Sequence, residues 1–162
     1  MESCGVKEVL DWRVKSGVGI WQPKALMLPA SVVCAFSSRQ GGVSGGPYTS
    51  LNLGLHVGDR HEDVVTNRRR FSDALGIDFE GWVAGDQVHG KDVAVVGRKD
   101  RGRGALSQDT ALPAVDGLVT NEPEVWLTCY YADCVPLLFW NVDGRAVGVA
   151  HAGWRGTLAQ VG

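Results

Sequence analysis

Three residues in this chain of 162 could together build a reaction centre: His89, Cys134 and His151. Each lies at the end of a run that reads as a strand. His89 closes "WVAGDQVH" (82–89), Cys134 lies in "YYADCVP" between two apolar runs, and His151 closes "RAVGVAH" (145–151) before the turn "AGWRGT". Strand ends and the loops leaving them display reactive groups, because a rigid element holds side chains that still face solvent. Two imidazoles and a thiolate suit zinc, and three ligands leave one tetrahedral position open, as a catalytic site requires. Zinc there would lower the pKa of bound water to about 7. The spacings of 45 and 17 residues match no compact zinc motif, so residue type carries this reading more than spacing. The same residues also permit a cysteine hydrolase with Cys134 as nucleophile and His151 as base. A free cysteine or a strand-end histidine can equally be a packing residue.

Other polar residues offer weaker signals. Arg39 opens "RQGGVSGGPY" (39–48), whose paired glycines let backbone N–H groups approach an anion while the guanidinium forks onto a phosphate or carboxylate. An ordinary surface loop has the same composition, and no GK[ST] follows to make a P-loop. Arg155 is either a substrate anchor or a solvated residue at a helix start. Asp116 and Asp133 could orient ligands or carry protons; for Asp116 the turn-capping role is preferred. His56 and His61 read as structural or surface groups and Cys129 as core.

The elements that must position these residues form a mixed α/β pattern. Residues 1–30 show little periodicity and hold a short N-terminal strand or an ordered tail. "SVVCAF" (31–36) reads as a strand running into a long glycine-rich loop. Val64, Arg68, Phe71 and Leu75 predict a helix over about 60–75, with an Asp59/Glu62 capping box and a stop at Gly76. Strands are expected at 82–89, 92–97, 115–120, 125–131, 135–140 and 145–151. Gly90–Lys91 reads as a hairpin turn between the first two of these, and "NVDG" (141–144) between the last two. A short helix is expected from Trp154.

Composition bounds the function classes. The chain suits one soluble globular domain, with 44% hydrophobic residues. A net charge of −2 gives no nucleic-acid footprint and no polybasic membrane patch, and "RKDRGRG" (98–104) reads as a surface loop. The acidic start "MESCGVKEVLD" lacks the apolar core of a signal peptide, and no apolar run approaches membrane-spanning length. Four cysteines without a dense framework or a CxxC pair suit free thiols in a reducing cytoplasm.

The motifs "SSRQGGVSGGPYTSLNLGLHVGD", "VTNRRR", "GDQVHG", "VDGLVT", "YYADCVPLLF" and "AVGVAHAGWRGT" recur in this order in the YfiH-like proteins, also called the laccase-domain or polyphenol-oxidase family. The resemblance covers about residues 32–157. It implies an α/β fold, a mixed sheet with flanking helices like that of the YfiH and cytotoxic-necrotizing-factor hydrolases. The N-terminal segment would be 1–30 and the laccase-domain core 31–162. The family pattern continues past "GWRGT", so a C-terminally truncated member and an incomplete fold are expected.

The resemblance also implies a metal site at His89, Cys134 and His151, which would be the catalytic residues. It implies a zinc-dependent purine nucleoside enzyme. The expected activities are phosphorolysis of adenosine, guanosine, inosine and methylthioadenosine, and deamination of adenosine. Purine nucleoside and phosphate are then the partners, with Arg39, Asn52 and Arg155 binding substrate; Asn52 either touches substrate or orders its loop. Zinc is expected ahead of copper. Multicopper oxidation needs histidine-rich sites, whereas this chain has four histidines, no HxH pair, and methionines only at Met1 and Met27. The HxE…PCxxC pattern of the zinc deaminases is also missing. A non-catalytic purine-binding module is the remaining alternative, and phenol oxidation ranks last.

Overall fold

The computed structural model describes residues 9–161. The N-terminal segment forms a hairpin of β1 (Leu10–Lys15) and β2 (Val18–Pro23), paired antiparallel through the Ser16–Gly17 turn. The run 31–36, expected as a strand, is largely irregular. Only β3 (Phe36–Ser37) pairs, antiparallel to β2 at Trp21 and Ile20. Its apolar residues instead line a cavity described below.

Helix α1 (His61–Leu75) forms where its periodicity placed it, burying Val64, Asn67, Arg68, Phe71, Ser72 and Ala74. It ends at Gly76, whose φ of +70° admits the left-handed cap; the N–H of Ile77 then reaches back to the Ser72 carbonyl. The expected capping box does not form. The helix N-cap is Arg60, with no side-chain cap bond. The Asp59 carboxylate instead accepts from Ser44 Oγ (2.6 Å), Asn52 Nδ2 (2.9 Å) and the Arg60 N–H (2.8 Å).

Three of the buried residues of α1 are polar, and two of them, Asn67 and Arg68, organise loops. Asn67 accepts from the Val43 N–H and donates to Ser44 Oγ and to the Ser50 and Asn52 carbonyls. Arg68 donates to the carbonyls of Leu53, Gly104 and Ala105. Buried polar groups demand such partners, and in meeting that demand "VTNRRR" pins the glycine-rich loop 39–54 to the helix.

Two further sheets follow. One pairs β4 (Trp82–Ala84) with β7 (Trp126–Thr128) in parallel. The other has the order β5 (Val93–Val95), β6 (Gly117–Thr120), β9 (Val147–Ala152), β8 (Val135–Trp140). In it β5 and β6 run parallel, while β9 is antiparallel to both β6 and β8. The "NVDG" turn joins β8 to β9 as predicted, closed by the Gly144 N–H on the Asn141 carbonyl. The hairpin expected at Gly90–Lys91 is absent, because β4 and β5 belong to different sheets. The N–H of Gly90 is taken by Asp116 instead of a hairpin ladder.

Cores sit on either side of β4. One gathers Val18, Ile20, Leu51, Phe71, Phe79 and Trp82 beneath α1; the other gathers Val83, Val96, Leu118 and Val125. Helix α2 (Trp154–Leu158) follows β9 directly. Among the described residues no helix is long and apolar enough to cross a membrane.

Candidate metal centre

His89, Cys134 and His151 come together although they are far apart in sequence. One ligand atom from each lies within 4.8 Å of the other two. The two imidazole rings meet edge to face, with centroids 4.7 Å apart. His151 is buried, Cys134 half-buried and His89 exposed, so the cluster lies at a protein–solvent boundary.

His151 lies in β9, where its main-chain N–H donates to the Asp116 carbonyl at 2.7 Å. Its Nδ1 stands 2.8 Å from Asp116 Oδ1. An ionised carboxylate can only accept, so Nδ1 carries the proton, and in a neutral imidazole Nε2 is then the nitrogen with the lone pair. His89 stands in the left-handed region with φ of +62°, uncommon for a non-glycine residue. Asp116 supports this turn. The N–H groups of Val88 (3.1 Å), His89 (2.9 Å) and Gly90 (2.7 Å) all converge on this carboxylate.

Asp116 is itself completely buried. Burial disfavours its charged form, but the hydrogen bonds from His151, Gly90, Val88 and His89 outweigh that and hold the carboxyl below the usual range. The turn-capping preference for Asp116 was therefore too narrow: it caps the Val88–Gly90 turn and also orients His151. Asp133 is exposed, with Oδ1 3.9 Å from Cys134 Sγ.

The donor set passes a simple fit test. Two imidazoles and a thiol match zinc, whose ligand atoms sit roughly 3.5 Å apart for bonds of about 2.0–2.3 Å in a tetrahedron. The chain also leaves space beside them. A Cβ on Gly153 would come within 2.9 Å of His89 Cδ2 and 3.1 Å of Cys134 Sγ. A Cβ on Gly156 would meet the Gly90 carbonyl at 2.8 Å, so α2 seats against the His89 loop through glycine.

The cluster borders a cavity of about 1070 Å³. Arg39 and Asn52 line it; Arg155 does not. Arg39 Nε and Nη2 donate to the carbonyls of Thr49 and Pro47, and among the described residues no carboxylate pairs with it. The Asn52 amide bonds Gly54 and Asp59, which orders its loop. Arg155 is exposed and lies over the Trp154 ring at 5.2 Å.

His61 is a surface group as expected, with Nε2 2.7 Å from the Leu106 carbonyl; His56 is exposed and faces the Tyr130 ring at 6.5 Å. Cys129 is half-buried, and burial pushes its thiol up to about 12. Cys34, Cys129 and Cys134 are unpaired thiols.

Sequence reasoning missed two contributors. Gly153 belonged to the noted turn, but its closeness to both other loops is tertiary. Gln87 gave no signal beyond its place two residues before His89; its side chain binds the Tyr130 peptide.

Known proteins share the sequence pattern and the fold of this chain. A family model described as multi-copper polyphenol oxidoreductase laccase matches residues 33–162. The purine nucleoside phosphorylase YlmD of Geobacillus stearothermophilus is 51% identical over 132 residues, which is 82% of this chain and 48% of that protein. Its namesake in Bacillus subtilis is 49% identical over 131 residues, 81% of this chain and 47% of that protein. The crystal structure of YlmD from G. stearothermophilus matches with a TM-score of 0.87 at 44% identity, over 93% of this chain and 54% of that one. That of the Bacillus licheniformis hypothetical protein YfiH matches with a TM-score of 0.84 at 38% identity, over 91% and 54%. The chain spans about half the length of the curated relatives it matches. It has the YlmD/YfiH fold and belongs to the multi-copper polyphenol oxidoreductase laccase family, the laccase-domain group that its ordered motifs resemble.

Proposed function

We propose that this chain carries the zinc centre and nucleoside cleft of a purine nucleoside phosphorylase. The observation that carries the reading is the convergence of His89, Cys134 and His151 beside a cavity large enough for a nucleoside and phosphate. The relatives named purine nucleoside phosphorylase support it. His89, Cys134 as thiolate and His151 Nε2 hold zinc. When bound, zinc supplies Lewis acidity that polarises an oxygen of substrate or water. Asp116 keeps the proton on His151 Nδ1, so that Nε2 stays available. Arg39 binds phosphate; the carbonyls of Thr49 and Pro47 fix its guanidinium, and among the described residues no carboxylate pairs with it. The rings of Phe36 and Tyr131, 5.8 Å apart on the cavity wall, give the planar purine an apolar surface.

In phosphorolysis a phosphate oxygen bonds to C1′ of the ribose as the C1′–N9 bond breaks, and the purine leaves with the electron pair. Adenosine, guanosine, inosine and methylthioadenosine are the proposed substrates. Deamination of adenosine in the same cleft replaces the C6 amino group with the oxygen of water and releases ammonia. Copper-dependent phenol oxidation has the least support. Among the described residues there is one three-donor cluster of histidine, cysteine and carboxylate side chains, whereas multicopper chemistry requires several.

The test compares zinc content and inosine phosphorolysis in the wild type and Cys134→Ala. The variant is expected to lose both; equal loading and equal rates would overturn the reading. One observation favours a second reading: Cys134, His151 and Asp116 also have the order of nucleophile, base and orienting carboxylate. A cysteine hydrolase of that kind survives a chelator and is killed by iodoacetamide.

A further inference from the structure

The three candidate ligands form a triangle, and each side has its own fastening. Cys134 and His151 are held by the β8–β9 ladder, where Val135 pairs with Ala152 and Pro136 with His151. His151 and His89 are held by Asp116, which binds His151 Nδ1 and the N–H groups of Val88, His89 and Gly90. Neither device joins His89 to Cys134. With two sides set, the triangle could still open about His151.

The third side is closed by a residue that is not one of the three. Gln87 Nε2 donates to the Tyr130 carbonyl at 2.8 Å, and Gln87 Oε1 accepts from the Tyr130 N–H at 2.7 Å. Backbone pairing of β4 with β7 ends at Ala84 and Thr128. Beyond it the Gln87 carboxamide does for Tyr130 what the peptide of a neighbouring strand would do. Gln87 lies two residues before His89, and Tyr130 four before Cys134. The clamp therefore sits where the two ligand-bearing segments leave their strands.

We propose that Gln87 is a positioning residue that sets the separation of His89 from Cys134, and through it the metal affinity of the centre. This rests on the reading of His89, Cys134 and His151 as ligands. A gap between prearranged ligands must be closed at the expense of binding free energy, so loosening the clamp weakens metal binding without removing a donor. Partners that orient ligands typically change affinity 10–100-fold; Gln87 acts through the backbone, and about tenfold is expected.

Cobalt(II) is the probe, because its thiolate charge-transfer absorption reports Cys134 ligation separately from activity. Gln87→Met keeps the length of the side chain and removes both hydrogen bonds. It is expected to weaken cobalt binding about tenfold and to shift the charge-transfer band. Gln87→Glu keeps an acceptor for the Tyr130 N–H and loses the donor, and should fall between Met and wild type. Val96→Ala, a core truncation beneath β5 and β6, should lower the melting temperature and leave cobalt affinity and spectrum unchanged. A Gln87→Met protein that melts earlier but binds cobalt with wild-type affinity and spectrum overturns the proposal.

A measurement on the unaltered chain covers the case in which the variants do not fold. Coupling is reciprocal: if the clamp favours metal binding, the metal favours the clamp by the same factor. Zinc should therefore slow hydrogen exchange of the Tyr130 amide about tenfold, while unchanged exchange overturns the proposal. Wild-type protein whose cobalt spectrum matches that of Cys134→Ser, with no thiolate band, overturns the ligand assignment itself and the proposal with it.

Discussion

His151 and Asp116 are joined twice: the His151 main-chain N–H donates to the Asp116 carbonyl at 2.7 Å, and His151 Nδ1 donates to Asp116 Oδ1 at 2.8 Å. The first bond belongs to the contact between neighbouring strands β6 and β9; the second uses that contact to aim a side chain. Because the same carboxylate collects three N–H groups from 88–90, Asp116 is the common reference for two of the three candidate ligands.

Asp116→Asn is therefore expected to injure metal binding and stability together. Its amide removes the charge and turns one acceptor into a donor that faces N–H groups. Metal affinity should fall about 10–100-fold, and each buried N–H left without a partner costs about 1–3 kcal/mol. Chelator-competition titration and denaturant melts of the metal-free protein measure the two effects. Wild-type metal affinity in Asp116→Asn would remove the orienting role.

Gly153→Ala should separate the same two quantities. The backbone at Gly153 has φ of −71° and ψ of 167°, which alanine adopts freely. A compatible glycine-to-alanine change stabilises by about 0.4–1 kcal/mol through the unfolded chain. Here the new methyl lands 2.9 Å from His89 Cδ2 and 3.1 Å from Cys134 Sγ. The expected result is loss of metal affinity with little loss of folding stability, read by titration and thermal melting; undiminished affinity would show that the ligand loops yield.

Acid should act through Asp59. Burial raises its pKa, but hydrogen bonds from Ser44, Asn52 and the Arg60 N–H, with the Arg60 charge, lower it further and leave it below the ordinary value. The unfolded chain, with a pKa of about 3.9, then binds the proton more readily than the folded one. The stabilisation is fully present above that pH and disappears as pH falls through the lower folded pKa. The stability gap between wild type and Asp59→Asn should be constant at neutral pH and shrink below about pH 4, as measured by urea unfolding across pH. A gap independent of pH down to about 2 would contradict this.

The thiols should differ in reactivity. Burial pushes Cys34 to about 11 and Cys129 to about 12, so at neutral pH both are almost entirely protonated, and the thiolate is the nucleophile. Of the three described cysteines, Cys134 should be alkylated first by iodoacetamide in metal-free protein, and zinc should protect it. Mass spectrometry of the modified peptides checks both expectations. Faster labelling of Cys34 or Cys129 would contradict the burial argument.

Much of this architecture was legible from short stretches of chain. Helix α1, its stop at Gly76, the "NVDG" turn and the central parts of most strands follow from periodicity and turn chemistry, which act over a few residues. The three candidate ligands were legible as residue types, but the strand expected over 82–89 ends at Ala84, so His89 stands in a turn beyond β4, while His151 lies within β9 and Cys134 just before β8. The capping box failed because Asp59 found stronger partners across the glycine-rich loop than in its own helix. The Gly90–Lys91 hairpin failed because the two runs around it entered separate sheets.

By itself the sequence determined which side chains could do chemistry. Only the tertiary structure decided that β4 pairs with β7 and β5 with β6, that Asp116 serves two ligand loops, and that Gln87 grips Tyr130. The physical reason is range. An aspartate before a glycine or a glutamine near a strand end has the same local chemistry wherever it occurs, and its role depends on which distant peptide groups folding leaves unpaired beside it.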